Sequence, residues 1–223
     1  MGLETHARVE INERYHKEGR AVPHISWTNG TMYIDTNDKK DLEIIEDGHT
    51  FAENAQIKSE TVWNHLKSTG FHLTPHWIIA DDSGLCVAAL GGAPGIRSAR
   101  YALDSGAGEG DDDNNTLLLN NLRSFPTAEE RRAHFACALC AMNGEGQIHS
   151  FYGEVHGFIG HALSGAGGFG YDPLFYPDAF PGQTTAEISE ENKHAISHRG
   201  KAFRPASQAR SESRTSEALS QSE

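Results

Sequence analysis

Two carboxylates stand side by side at the end of an apolar run. Trp77-Ile78-Ile79-Ala80 leads directly into Asp81-Asp82-Ser83-Gly84. Successive side chains of a strand point to opposite faces, so adjacent acids at a strand end cannot both be turned into a core. An acid facing a cleft can hold a divalent cation or take a proton from water. Asp-Ser-Gly is also ordinary turn chemistry, and these four residues alone do not choose between the two. Glu46-Asp47-Gly48 supplies a second acidic group just ahead of a helix start. There it either complements the positive end of the helix dipole or joins a metal site.

A second constellation lies later in the chain. Gly165-Ala166-Gly167-Gly168-Phe169-Gly170-Tyr171-Asp172-Pro173 is a glycine-rich loop that carries two aromatic rings and closes on Asp-Pro. Glycines let backbone N–H groups approach a ligand closely. Phe169 and Tyr171 offer flat faces for a planar base, and Asp172 offers an acceptor for a base or ribose donor. Lys193 and Ser197-His198-Arg199-Gly200 then bring ammonium, imidazole and guanidinium donors into a short span, a set suited to phosphate or keto oxygens. Read singly, the same residues also fit a solvated basic helix start.

The elements that must position these groups read as alternating helices and strands. Thr50-Phe51-Ala52-Glu53 is a capping-box pattern that predicts a helix to about Ser68, with Phe51, Ala55, Val62 and Leu66 on one face and Gly70 as its stop. Trp77–Ala80 is expected as a short buried strand ending at Asp81, with Cys86 to Leu90 a second strand or turn. Asp113 is expected to cap a helix running through Leu117, Leu118 and Leu122. Ala133, Phe135, Cys137, Leu139 and Ala141 alternate along a strand over Arg132–Met142. One or two further strands are expected over 148–160, with Gly153, Gly157 and Gly160 as bends. A helix starting at Ser189 or Glu190 carries Lys193, and Ser197 caps the last one. The pattern is mixed α/β.

Composition narrows the classes of partner. The chain has 223 residues, with 19 Lys+Arg against 31 Asp+Glu and a formal charge of −12. That balance disfavours polymeric nucleic acid, whose phosphates call for a basic face. No apolar run approaches the ~20 residues of a membrane span, and no secretory core opens the chain. Three cysteines (Cys86, Cys137, Cys140) in apolar surroundings fit a reducing, cytoplasmic setting. Residues 203–223 are rich in Ser, Glu, Arg and Gln and are expected to form a disordered polar tail.

Taken in order, these segments resemble the inosine triphosphate pyrophosphatase family, also called the Ham1 or non-canonical purine NTP pyrophosphatase family. The matching stretches are Glu46–Ala55, Ile79–Leu85, Leu90–Tyr101, Gly167–Phe175, Thr185–Glu187, Lys193 and Ser197–Ala202. The resemblance covers about residues 45–202. It implies a mixed central sheet flanked by helices, in a two-lobed fold with a cleft. It implies Mg²⁺-dependent hydrolysis of ITP, dITP and XTP to the monophosphate and pyrophosphate, a nucleotide-pool cleaning role, by a cytoplasmic homodimer. By position, Asp82 is the general base and a metal ligand, Glu46 the other ligand, and Asp81 the support of the pair. Ser83 contacts substrate. Phe169, Gly170, Tyr171 and Asp172 form the base-binding segment, and Lys193, His198 and Arg199 complete the nucleotide site.

The family opens with an apolar strand running into a phosphate-gripping Thr-x-Asn-x-x-Lys loop. Residues 1–44 diverge from that layout. The nearest stretch is Met32–Lys40, which makes Lys39 or Lys40 the expected phosphate contact. A catalytically weak or inactive relative that only binds nucleotide is the alternative reading of this divergence.

Overall fold

The capping box at Thr50 opens helix α1 (Phe51–Ser68) as the sequence predicts. The Glu53 backbone N–H donates to Thr50 Oγ1 at 3.1 Å. In return Glu53 Oε2 accepts from the N–H of Thr50 at 3.1 Å and of His49 at 2.6 Å. Gly70, at φ +76°, ends the helix in the left-handed conformation that glycine adopts without strain. Phe71 N–H then returns to the carbonyl of Leu66 at 3.1 Å. Ala55, Val62 and Leu66 are fully buried.

The computed structural model describes residues 7–10, 25–28, 31–34, 42, 44–68, 70–73 and 76–205. Three short strands lie ahead of α1: β1 (Ala7–Glu10), β2 (Ile25–Thr28) and β3 (Thr31–Ile34). β2 and β3 pair antiparallel with Thr28 opposite Thr31, and β1 pairs antiparallel with both β3 and β4 (Trp77–Val87). After β4 come the short helix α2 (Tyr101–Asp104), helix α3 (Asp111–Asn121), strands β5 (Arg132–Asn143), β6 (Ile148–Ile159) and β7 (Phe175–Pro177), and helix α4 (Glu190–Ile196). The strands hydrogen-bond in the order β2-β3-β1-β4-β5-β6-β7. Residues 198–205 are helical.

Three expectations are corrected. The strand at Trp77 does not stop at Ala80. It runs on through Asp81, Asp82, Ser83 and Gly84 to Val87, so the acids sit within an 11-residue strand rather than at its end. The turn-forming composition yields to strand pairing there, as propensity commonly does to tertiary context. Helix α3 starts at Asp111 on a Gly110 cap, and Asp113 instead accepts the N–H of Glu109 through Oδ2 at 2.7 Å. β6 runs unbroken through Gly153 and Gly157. A side chain at Gly157 would run into the backbone of the paired β7, which explains the glycine without a bend.

Among the described residues, those up to Asp82, with Ala138–Phe151 and 202–205, cluster into one unit. Ser83–Cys137 and Tyr152–Lys201 cluster into a second. The first is built on Val62, Leu66, Leu73 and Ile78, with Trp63 and Phe71 packed against them. The second is built on Leu85, Val87, Leu118, Leu122, Val155, Ile159, Leu174 and Phe175. In the second unit Arg131 is 2% exposed, and among the described residues its guanidinium donates to carbonyls. The acceptors are Ile159 at 2.8 Å, Leu122 at 3.0 Å, Phe125 at 3.3 Å and Gly160 at 2.6 Å. Cys86 is half-buried, and Cys137 and Cys140 are buried.

Candidate active site

In the first unit, α1 and β4 bring acids and a buried amine together. Lys58 is 1% exposed. Its ammonium lies 2.9 Å from Glu46 Oε2 and 2.9 Å from Asp82 Oδ1, and it donates to the backbone carbonyl of Asp81 at 3.2 Å. Asn54, one turn earlier on the same helix face, donates through Nδ2 to Asp82 Oδ2 at 3.1 Å. Asn54 Oδ1 accepts the Gly48 N–H at 3.0 Å, which ties the segment carrying Glu46 to the start of α1. Gly48 admits no side chain, since an added Cβ would sit 2.6 Å from that Oδ1 and 2.8 Å from Glu53 Cβ.

Glu46 and Asp82 therefore converge as the sequence implies, but on an ammonium. Both oxygens are within 2.9 Å of one nitrogen, so they lie within twice that distance of each other. They are hard oxygen donors of the type that a small divalent cation takes alongside water. Asp81 is buried on the other face of the strand by alternation. Among the described residues no group of three or more His, Cys, Asp or Glu side chains is arranged around a single metal position. Asn54 and Lys58 are the residues that sequence reasoning missed here.

In the second unit, every residue assigned above to substrate, from Ser83 to Arg199, lines one cavity. Asp172 organises its rim. Asp172 Oδ2 accepts the Phe169 N–H at 2.8 Å and the Lys193 ammonium at 2.7 Å. The same ammonium stands 5.0 Å from the centre of the Phe169 ring, and that ring is 54% exposed. Gly168, at φ +76°, lies so close to the Asp172 carboxylate that a Cβ would overlap it. Tyr171 is turned inward. Its hydroxyl donates to the Ser98 carbonyl at 2.9 Å, and burial pushes its phenol well above the ordinary range.

The cavity wall is aromatic. His198 stacks on Phe135 at 5.2 Å with 13° between planes, and Phe135 meets Phe175 edge-on at 4.9 Å. Phe135 is one position of the alternating pattern in β5, and that alternation is the sequence signal that it faces inward. α4 is capped by Ser189, whose Oγ accepts the Asn192 N–H at 3.3 Å, and it delivers Lys193 one turn in. Lys39 and Lys40 lie outside the described residues.

A model described as the Ham1 family matches residues 16–209. The chain is 47% identical over 162 residues to a dITP/XTP pyrophosphatase of Listeria monocytogenes, covering 73% of each protein. It is 46% identical over 161 residues to a dITP/XTP pyrophosphatase of Geobacter sulfurreducens, covering 72% of this chain and 74% of the relative. Among solved structures, it resembles the Ham1 protein of Staphylococcus aureus with a TM-score of 0.65 and 39% identity, over 80% of this chain and 85% of that one. A nucleoside-triphosphatase, dITP/XTP pyrophosphatase, of Mycobacterium abscessus gives a TM-score of 0.57 at 40% identity, over 72% and 76% of the two chains.

Proposed function

We propose that this chain, which belongs to the Ham1 family, hydrolyses non-canonical purine nucleoside triphosphates such as ITP, dITP and XTP to the monophosphate and pyrophosphate. The observation that carries the reading is the aromatic cavity lined by Phe169, Asp172, Lys193, His198 and Arg199. Its relatives are named for this activity, and it is a nucleoside triphosphate pyrophosphatase by the same kinship.

The base enters the cavity against the exposed ring of Phe169. Lys193 and Arg199 donate to the keto oxygens of a deaminated purine, whereas the amino group of adenine would meet donor with donor. Both bonds to Asp172 fall on Oδ2, which leaves Oδ1 for a donor on the ligand. Asp82 orients a water and takes its proton as the water oxygen bonds to phosphorus and the bridge between the α- and β-phosphates breaks. Lys58 and Asn54 hold the two Asp82 oxygens in place for that transfer.

Glu46 and Asp82 would hold Mg²⁺, with Asp81 behind them. When bound, the ion supplies charge neutralisation to phosphate oxygens that the carboxylates would otherwise repel. Lys39 or Lys40 is assigned to the phosphates, the protein to the cytoplasm, and its assembly to a homodimer. The inactive-relative reading is not favoured, because the curated relatives are named dITP/XTP pyrophosphatases and this sequence keeps the acids and cations that the chemistry needs.

Pyrophosphate release from ITP with Mg²⁺ tests the proposal. The wild type should turn over, and Asp82→Asn should lose about 10²–10⁴-fold in kcat, the usual contribution of a general base. Equal rates for the two proteins would end it.

A further inference from the structure

Gly170 is gripped from both sides by one helix. Its N–H donates to Asp111 Oδ2 at 2.7 Å, and its carbonyl accepts from Asn115 Nδ2 at 2.9 Å. Asp111 and Asn115 are one turn apart on α3, so both face the loop. Holding both the N–H and the C=O of a single residue fixes two successive peptide planes. Those planes set where the Phe169 and Tyr171 side chains leave the backbone. Gly170 itself is at φ +61°, a conformation that side-chain-bearing residues rarely adopt, so the loop needs both the glycine and something to hold it.

The clamp stands on a rigid base. Leu118 and Leu122, further along α3 and just past its end, are fully buried in the core. Asn114 joins the helix to the preceding segment, with Oδ1 accepting the Ala102 N–H at 2.8 Å and Nδ2 donating to the Ala99 carbonyl at 3.2 Å. Asn115 is 4% exposed, and its Oδ1 is buried without a hydrogen-bond partner among the described residues. A buried orphan acceptor is destabilising, so space-filling does not account for an asparagine at this position. Its one satisfied group is the donor that meets Gly170.

We propose that Asp111 and Asn115 are positioning residues that set the pose of the base-binding segment Phe169–Asp172, and through it the preference for keto over amino purines. The proposal rests on the assignment of the cavity to the purine base. Neither residue lines the cavity itself. Their effect is carried by the Gly170 peptide groups to the ring of Phe169 and the carboxylate of Asp172.

Asn115→Leu separates positioning from folding. It keeps the shape of the side chain while removing the Gly170 donor and the orphan acceptor together. The variant should melt within a few degrees of wild type. Its KM for ITP should rise about tenfold, the usual weight of a lost hydrogen bond near a ligand, with kcat changed much less. The ITP-over-ATP ratio of kcat/KM should fall by a similar factor. Asp111→Ala should do the same and Asp111→Asn, which keeps an acceptor, should largely restore the ratio. Amide exchange at Gly170 should speed up in Asn115→Leu and Asp111→Ala.

Wild-type KM and selectivity in both variants would overturn the proposal, as would a fall in kcat shared equally by ITP and ATP with KM unchanged. A wild type inert toward every triphosphate would instead strike the pyrophosphatase reading. The dissociation constants for IMP and AMP, read by calorimetry on the same variants, then decide the positioning claim in the same direction.

Discussion

In the unit that ends at Asp82, functional side chains hold one another. Lys58 sits between Glu46 and Asp82, and Asn54 completes the grip on Asp82. In the unit that begins at Ser83, they are held chiefly through the backbone. The Phe169 N–H goes to Asp172, both peptide groups of Gly170 go to α3, and the Tyr171 hydroxyl goes to the Ser98 carbonyl. A proton acceptor has to be aimed by its own oxygens, and charged partners do that. A flat base has to be met by a surface, which requires the main chain to be fixed and the rings to be carried on it. The two regions should therefore fail differently, one in turnover and stability, the other in affinity and selectivity.

The hardest blow to this contrast is Lys58→Met. It leaves Glu46 and Asp82 facing each other without their counter-charge, a loss worth about 3 kcal/mol or more for a buried pair. Chemical denaturation should show that loss together with a collapse of kcat. An unchanged unfolding midpoint would mean the ammonium is dispensable to the fold. Arg199→Ala should do the reverse, with the melting temperature kept and the ITP-over-ATP preference eroded about tenfold, and a preserved ratio would remove Arg199 from base selection. Replacing Lys39 and Lys40 together by Ala should raise the KM for triphosphate about tenfold with little effect on kcat, the loss expected of one charged hydrogen bond. An unchanged KM would place the phosphates elsewhere.

The smallest effect concerns pH. Burial, aided by neighbouring His72, pushes the His76 imidazole below its ordinary value of 6.5. Below that value the unfolded chain takes a proton that the folded chain resists, so stability falls as pH drops from 6.5, by at most about 1.4 kcal/mol per pH unit. His76→Phe should flatten that slope in denaturation curves at pH 5 to 7. A slope unchanged by the substitution would assign it to other groups.

Much of this was legible in the residues because it depends on local patterns. The Thr50–Glu53 box fixed the start of α1, Ser189 that of α4, and the cavity residues Phe169 to Arg199 came together as their order implied. Lys58 was missed because a lysine on a helix is normally read as solvated. It falls three residues after Ala55 and four before Val62, both fully buried, so the apolar stripe already contained it. The length of β4 was missed for a different reason. Asp-Asp-Ser-Gly reads as a turn, and only pairing with neighbouring strands, which no local pattern carries, keeps it extended. β2 and β3 pair with Asn29-Gly30 between them, a dipeptide that often joins hairpins and that could have been read as such.

Arg131 has a consequence for how the molecule meets salt. Among the described residues its guanidinium is met by four carbonyl dipoles. Amide oxygens do not exchange their charge for dissolved ions. The peg that fastens the far end of α3 thus keeps its strength at salt concentrations that screen the Lys193–Asp172 contact. Recognition is consequently the fragile property of this region and architecture the durable one, so a salted preparation should come back to full selectivity on dilution without having to refold.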